Sequence, residues 1–199
     1  MLLLDFSNIQ KQLDKLFSEI PDDIQPELSD LKLKDSNLSA DNLSQIESSL
    51  RINLPNIFKK TILKYDFGDL TLGDVWFGSK ENYAEYLIKV NTHQIKEKEV
   101  CFASWWGSDE RPENYIMVAE SDGFIVLLDT ETEKILGYPR TKSYEFSEVL
   151  ASNFENFVRA IATVYISVQN ETTDKTLIEI PSMLGSSINN SFWREIIKV

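Results

Sequence analysis

The period of the apolar residues changes at Gly68, and that change decides the fold class. Before it, Phe6, Ile9, Leu13, Leu16, Phe17 and Ile20 recur at three- and four-residue steps, as do Leu43, Ile46 and Leu50, and then Ile57, Phe58, Ile62, Leu63 and Tyr65. Such spacing lays one apolar stripe along each of three helices. Pro21 stops the first. Ser39, whose hydroxyl can accept from an early backbone N–H, starts the second. Pro55 opens the third, since its missing N–H would be unpaired in a first turn anyway, and Gly68 ends it. After Gly68, β-branched and aromatic residues gather in short runs between turn formers, which is the pattern of strands.

Those runs predict strands at Leu70 to Phe77, Val100 to Trp105, Tyr115 to Ala119, Phe124 to Leu128 and Lys134 to Tyr138. A helix from Asn82 to Val90 crosses the sheet. Ser121-Asp122-Gly123 is a hairpin signal, because Asp-Gly accepts the positive φ of tight turns, and Asp129 to Glu133 forms a looser turn. A closing helix begins at Ser152, where Ser152 and Glu155 have capping-box spacing, and buries Phe154, Phe157, Val158, Ile161 and Tyr165. Beyond Gln169 the chain turns polar. Leu177 to Ile180 then reads as a short strand, and Phe192 to Val199 as a docking element. The expected fold class is α+β: an antiparallel sheet meander packed against several helices. One domain spans residues 1–199, with its core at about 38–166, an N-terminal helix and connector at 1–37 and a C-terminal extension at 167–199.

A helix, then "LPNIFKKTILKYDFG", a strand, a helix, an antiparallel meander and "FENFVRAI" as a closing helix follow one another in an order that resembles the SUKH superfamily. That superfamily contains bacterial toxin-immunity proteins and fungal cell-wall-synthesis regulators. The resemblance covers about Leu38 to Tyr165 and is carried by Leu43-Ile46-Leu50, Leu54-Pro55, the Tyr65 to Gly68 helix end, and Ser152, Phe154 and Phe157. Similar proteins usually have a glycine pair after the third helix, where this chain has Asp66-Phe67-Gly68-Asp69. They also tend to have a glycine-rich acidic turn after the strand that here ends in Trp105-Trp106, where this chain has Gly107-Ser108-Asp109-Glu110-Arg111-Pro112. The resemblance implies a protein-binding module of bacterial immunity type, with no catalytic residues.

Charge points the same way. Thirty-two acidic against 20 basic residues give a net charge of −12, a field that repels nucleic acid and anionic membranes and attracts a basic protein. The lone Cys101 excludes an intrachain disulfide and lies in an apolar run as an inert thiol. Met1-Leu2-Leu3-Leu4-Asp5 has neither the basic start nor the length of a signal peptide, and no apolar run approaches a membrane span. These absences point to the cytoplasm, where a sequon such as Asn37-Leu38-Ser39 carries no glycan.

The residues offer little covalent chemistry. His93 and Cys101 are too few for a metal site, and His93, within Asn91-Thr92-His93-Gln94, has no nucleophile elbow near it in sequence. Seven glycines include no phosphate loop. No cofactor is expected. Two carboxylates suffice for glycoside hydrolysis, so Asp109, Glu110 and Glu113 beside two tryptophans keep a carboxylate hydrolase open as an alternative, although nothing separates a proton-bearing acid from an ionised partner. Strand alternation would send one of Trp105 and Trp106 inward and the other toward the acidic loop. The expected partner-binding residues are Trp106, Asp109, Glu110 and Glu113, with Asp122, Glu131 and Glu133 from the hairpin turns as outer contributors. The expected partner is a basic toxin domain of nuclease type. A non-toxin interaction or scaffold role for the same fold stands beside that reading.

Overall fold

Among the described residues six strands pair in the order in which the chain makes them, each antiparallel to the next. The computed structural model describes residues 3–21, 23–25, 30–92, 104–107, 110–170, 175–187 and 189–197. Helices α1 (Phe6–Ser18), α2 (Ala40–Leu50) and α3 (Asn56–Lys64) precede a hairpin of β1 (Thr71–Leu72) and β2 (Val75–Trp76). Then come α4 (Tyr83–Thr92), β3 (Tyr115–Glu120), β4 (Phe124–Asp129), β5 (Ile135–Pro139) and β6 (Glu148–Ala151). The chain closes with α5 (Phe154–Gln169), α6 (Ile180–Met183) and α7 (Ser191–Ile197).

The helices begin where side chains can take orphan N–H groups. Asp5 accepts from Asn8 N at 2.8 Å to start α1, and Ser39 and Asn42 cap each other reciprocally to start α2. Arg51 ends α2 in the left-handed region (φ 55°). Pro55 stands one residue before α3, with its carbonyl already accepting from Lys59 N. At α5 the capping residue is Asn153, which accepts from Asn156 N at 2.9 Å. Ser152, expected in that role, instead accepts from the Asn156 side chain.

Elsewhere the structure corrects the strand boundaries. Leu70 to Phe77 is a hairpin rather than one strand, folded at Gly73 (φ 62°) and Asp74. Residues 104–107 are irregular and turn, so no strand reaches Trp105; Val100 to Ala103, with His93 and Cys101, lie outside the described residues. The β6 strand was unanticipated. Lys175–Glu179 is a 3-10 helix running into α6, where a strand was expected from Leu177.

One continuous core lies between the helices and one face of the sheet. Ile116, Val118, Val126, Leu128, Ile135 and Leu150 line the sheet side, and Phe58, Phe67, Phe77, Phe154 and Phe157 join ring to edge above it. The N-terminal stripe packs back on the same chain. Ile9, Leu13 and Phe17 are buried, Leu4 N donates to Thr163 Oγ1 (3.1 Å), and the Arg159 guanidinium donates to the Leu3 and Leu4 carbonyls. At the other end Trp193 is fully buried and its indole donates to the Leu150 carbonyl of β6 (3.1 Å). Gly68 and Gly78 cross so closely that a Cβ on Gly78 would lie 2.3 Å from the Gly68 carbonyl oxygen, an approach only glycine allows.

Two polar side chains fix the elements that frame the site. Among the described residues strand β2 reaches β3 only at Trp76↔Glu120, which leaves Met117 without a described strand partner on that side. The amide of Asn91, buried at the end of α4, takes the place of one: Met117 N donates to its Oδ1 (2.7 Å) and its Nδ2 donates to the Met117 carbonyl (3.0 Å). Glu47 ties α2 to α3 by accepting from Leu54 N (2.8 Å) and pairing with Lys59 (2.7 Å). Desolvation pushes its pKa up, but these donors and the Lys59 charge outweigh that and hold it below its ordinary value.

Two outcomes follow for stability. A carboxylate depressed in the folded state stabilises above its unfolded pKa and loses that contribution as pH falls through the folded value. Urea titrations of Glu47→Gln at neutral pH should show a loss of about 1 kcal/mol, kept small by solvent at this half-open pair, and the gap to the parent should close in acid. Asn91→Ala strands several buried polar groups at once. It should cost about 3 kcal/mol in the same titration and shift tryptophan emission to the red.

Candidate partner-binding site

Strand β4, Phe124-Ile125-Val126-Leu127-Leu128, is apolar on both faces, so the sheet needs cover on the side away from the helices as well. Met117, Ile125, Leu127 and Tyr138 form that second cluster, with Val90, Trp105, Tyr115, Leu136 and Tyr144 packed over it. Trp105 belongs to this cover, and Trp106 packs against it.

The pair sits in a turn. Gly107 takes φ 87° and donates to the Ser104 carbonyl, and the Ser104 hydroxyl donates back to the Gly107 carbonyl. Because the backbone turns, strand alternation does not apply, and the expected outward position of Trp106 is corrected. Trp106 is 8 % exposed, while Trp105 is half-buried. Their rings meet edge to face at 5.2 Å, and Trp105 meets Tyr144 the same way at 5.9 Å. Trp105 Nε1 donates to Asn91 Oδ1 (3.0 Å), and the Tyr138 hydroxyl donates to the Trp105 carbonyl (2.7 Å). Burial raises the Tyr138 hydroxyl far above the usual phenol range, with Arg140 opposing, so it stays protonated and keeps donating. The indole pair is thus fixed from α4 and from β5.

The acidic residues divide between the two ends of the sheet. Glu110 and Glu113 are exposed before β3, and Glu131 is exposed and Glu133 half-buried (φ 63°) in the β4–β5 turn. These two segments touch, since Thr130 N donates to the Asn114 carbonyl at 2.8 Å. Asp109 lies outside the described residues. Asp122 is exposed in the β3–β4 turn, at the far end of six-residue β4 and therefore roughly 20 Å away. Successive turns of a meander point to opposite ends, so Asp122 does not share the surface of the other carboxylates.

Two anchors hold the acidic end. Arg111 donates to the Pro112 and Tyr115 carbonyls and to the Leu50 carbonyl at the end of α2, where the helix dipole favours a cation. Burial lowers its pKa and Glu113 acts against that. Asp129, 8 % exposed, accepts from Glu131 N, Thr132 N and the Thr132 hydroxyl, folding the turn that displays Glu131. Asp129 is a structural acid, and Glu110, Glu113 and Glu131 are the displayed ones.

Beside the tryptophans the second face opens into a cleft of about 590 Å³, floored by Val90, Met117, Ile125 and Tyr138. Lys89, Arg140 and Lys142 stand on its walls with one carboxylate, Glu120, which pairs with Arg140. Tyr86, buried behind them, has its hydroxyl pushed well up by desolvation and by the Glu120 charge. No group of three or more His, Cys, Asp or Glu side chains that could hold a metal ion occurs among the described residues. No described helix is long and apolar enough to cross a membrane. Sequence reasoning missed Asn91, Arg140 and Lys142. Asn91 follows Tyr83, Tyr86, Leu87 and Val90 on an amphipathic helix and reads there as an ordinary polar end, and the cleft assembles from segments far apart in the chain.

Curated proteins offer no match to this chain. The family model for the SMI1 / KNR4 family (SUKH-1) matches residues 37–160, which runs from the cap of α2 into α5 and takes in the whole sheet. With well over half its length so matched, and with the antiparallel sheet and helices described above, the chain belongs to the SMI1 / KNR4 (SUKH-1) family.

Proposed function

We propose that this protein is a single-domain binding module of immunity type that neutralises a basic toxin domain, of nuclease type, by direct contact and performs no catalysis of its own. The observation that carries the reading is the grouping of Glu110, Glu113 and Glu131 at one end of the sheet, on loops pinned by Arg111 and Asp129, in a chain of net charge −12. Nucleases keep a basic cleft to hold phosphates, and a fixed anionic surface competes for it or docks beside it. Rigid loops lose little entropy when a partner arrives, which favours tight binding. Asp109 is assigned to the proposed surface from its place in the sequence beside Glu110, Glu133 lies at its edge, and Trp106, buried against Trp105, contributes little exposed surface. Asp122 falls outside it. Family membership supports the reading, because the resemblance that the sequence carries extends to immunity proteins.

Co-expression with the product of a neighbouring toxin gene, followed by stopped-flow association kinetics, tests this. The triple variant Glu110→Lys, Glu113→Lys, Glu131→Lys should slow association at least about tenfold at low salt and flatten its salt dependence, while Asp122→Lys has a much smaller effect. Equal rates for the triple variant and the parent would remove the acidic end from the interface. Capture of a housekeeping complex in place of a toxin would move the protein to the scaffold role.

A further inference from the structure

We propose that the cleft on the second face of the sheet binds a small organic anion, an apolar ring-sized body carrying one carboxylate, sulfonate or phosphate. This site is separate from the acidic end and does not depend on the immunity reading. Its volume, about 590 Å³, falls within the range of roughly 300–1,000 Å³ typical of small-molecule sites. The floor is apolar and deep, with Met117 and Ile125 each only 5 % exposed.

The walls are already fixed before any ligand arrives. Asn91 holds both Met117 and the Trp105 indole, and Tyr138 holds the Trp105 backbone, so the Trp105 indole N–H and the Tyr138 hydroxyl are already hydrogen-bonded inside the protein. A ring entering the cleft therefore meets aromatic and aliphatic surface and need not satisfy those groups.

The charge of the cleft runs against that of the chain. Among the described lining residues Lys89, Arg140 and Lys142 are cations against the single carboxylate of Glu120. Arg140 is paired with Glu120 and Lys89 with Glu81, whereas Lys142 makes no salt bridge among the described residues and lies 5.9 Å from the Phe146 ring. In a protein of net charge −12 the overall field repels anions, so a local cation above an apolar floor is what selects one that also has an apolar body.

Fluorescence titration of the full chain with anilinonaphthalene sulfonate tests the site. Saturable one-site binding is expected, weakened about tenfold by Lys142→Glu and unchanged by Lys11→Glu on the remote exposed face of α1. Val90→Trp, which adds bulk at the floor, should abolish binding while leaving the urea unfolding curve cooperative. Inorganic phosphate at the same concentration should not compete, since it lacks the apolar body. Absence of saturable binding, equal affinity in the Lys142→Glu and parent proteins, or full competition by phosphate would each overturn the proposal.

Discussion

A strand that is apolar on both of its faces cannot leave either one in water, and β4 is such a strand, buried along its whole length. Everything else in the molecule is arranged to cover it. On one side helices supply the cover, with α5 central and the aromatic rings of α3, the corner at Phe67 and β2's neighbour Phe77 filling the space. On the other side, among the described residues, the cover comes from Val90 of α4 and from a turn whose Trp105 packs beside Tyr144. The aromatic surface of the second face is thus first a packing requirement, and the cleft opens beside it.

Because irregular segments lack a ladder of backbone hydrogen bonds, they need side chains to hold them. Asn91 substitutes for a missing stretch of β2, Arg111 reaches from the acidic segment to the end of α2, and Asp129 folds the turn after β4. Each is a polar group largely removed from water with its partners satisfied, which is the condition under which such groups add rigidity rather than cost. The result is a sheet whose one end is anionic and whose second face carries cations above an apolar floor. Opposite signs on separate surfaces allow one small domain to discriminate between partners of different charge.

Much of this was legible in the sequence. The stripes of α1, α2, α3 and α5, and the runs of β3, β4 and β5, follow from period alone, since each is long enough for several repeats to agree. Leu70 to Phe77 read as one strand because its apolar residues surround Gly73-Asp74, the turn that in fact divides it. Glu148-Val149-Leu150-Ala151 was missed because four residues beginning with a charge show no clear alternation, and their strand state depends on Ser186, Asn190 and Trp193, which bond to them from the C-terminal segment. Exposure of Glu110, Glu113 and Glu131 was readable from local polarity. The inward position of Trp106 was not, because it depends on where the strand stops, and the cleft was not, because Lys89, Trp105, Ile125 and Lys142 are neighbours only in three dimensions.

The docking of α1 has a consequence for how the protein is made. Leu4 bonds to Thr163, 159 residues later in the chain, and the Arg159 guanidinium closes on the same N-terminal carbonyls. Because synthesis runs from N- to C-terminus, α1 leaves the ribosome well before α5 and carries its apolar side undocked until α5 emerges. Until that contact forms, the apolar face of α1 is a natural handle for a holding chaperone.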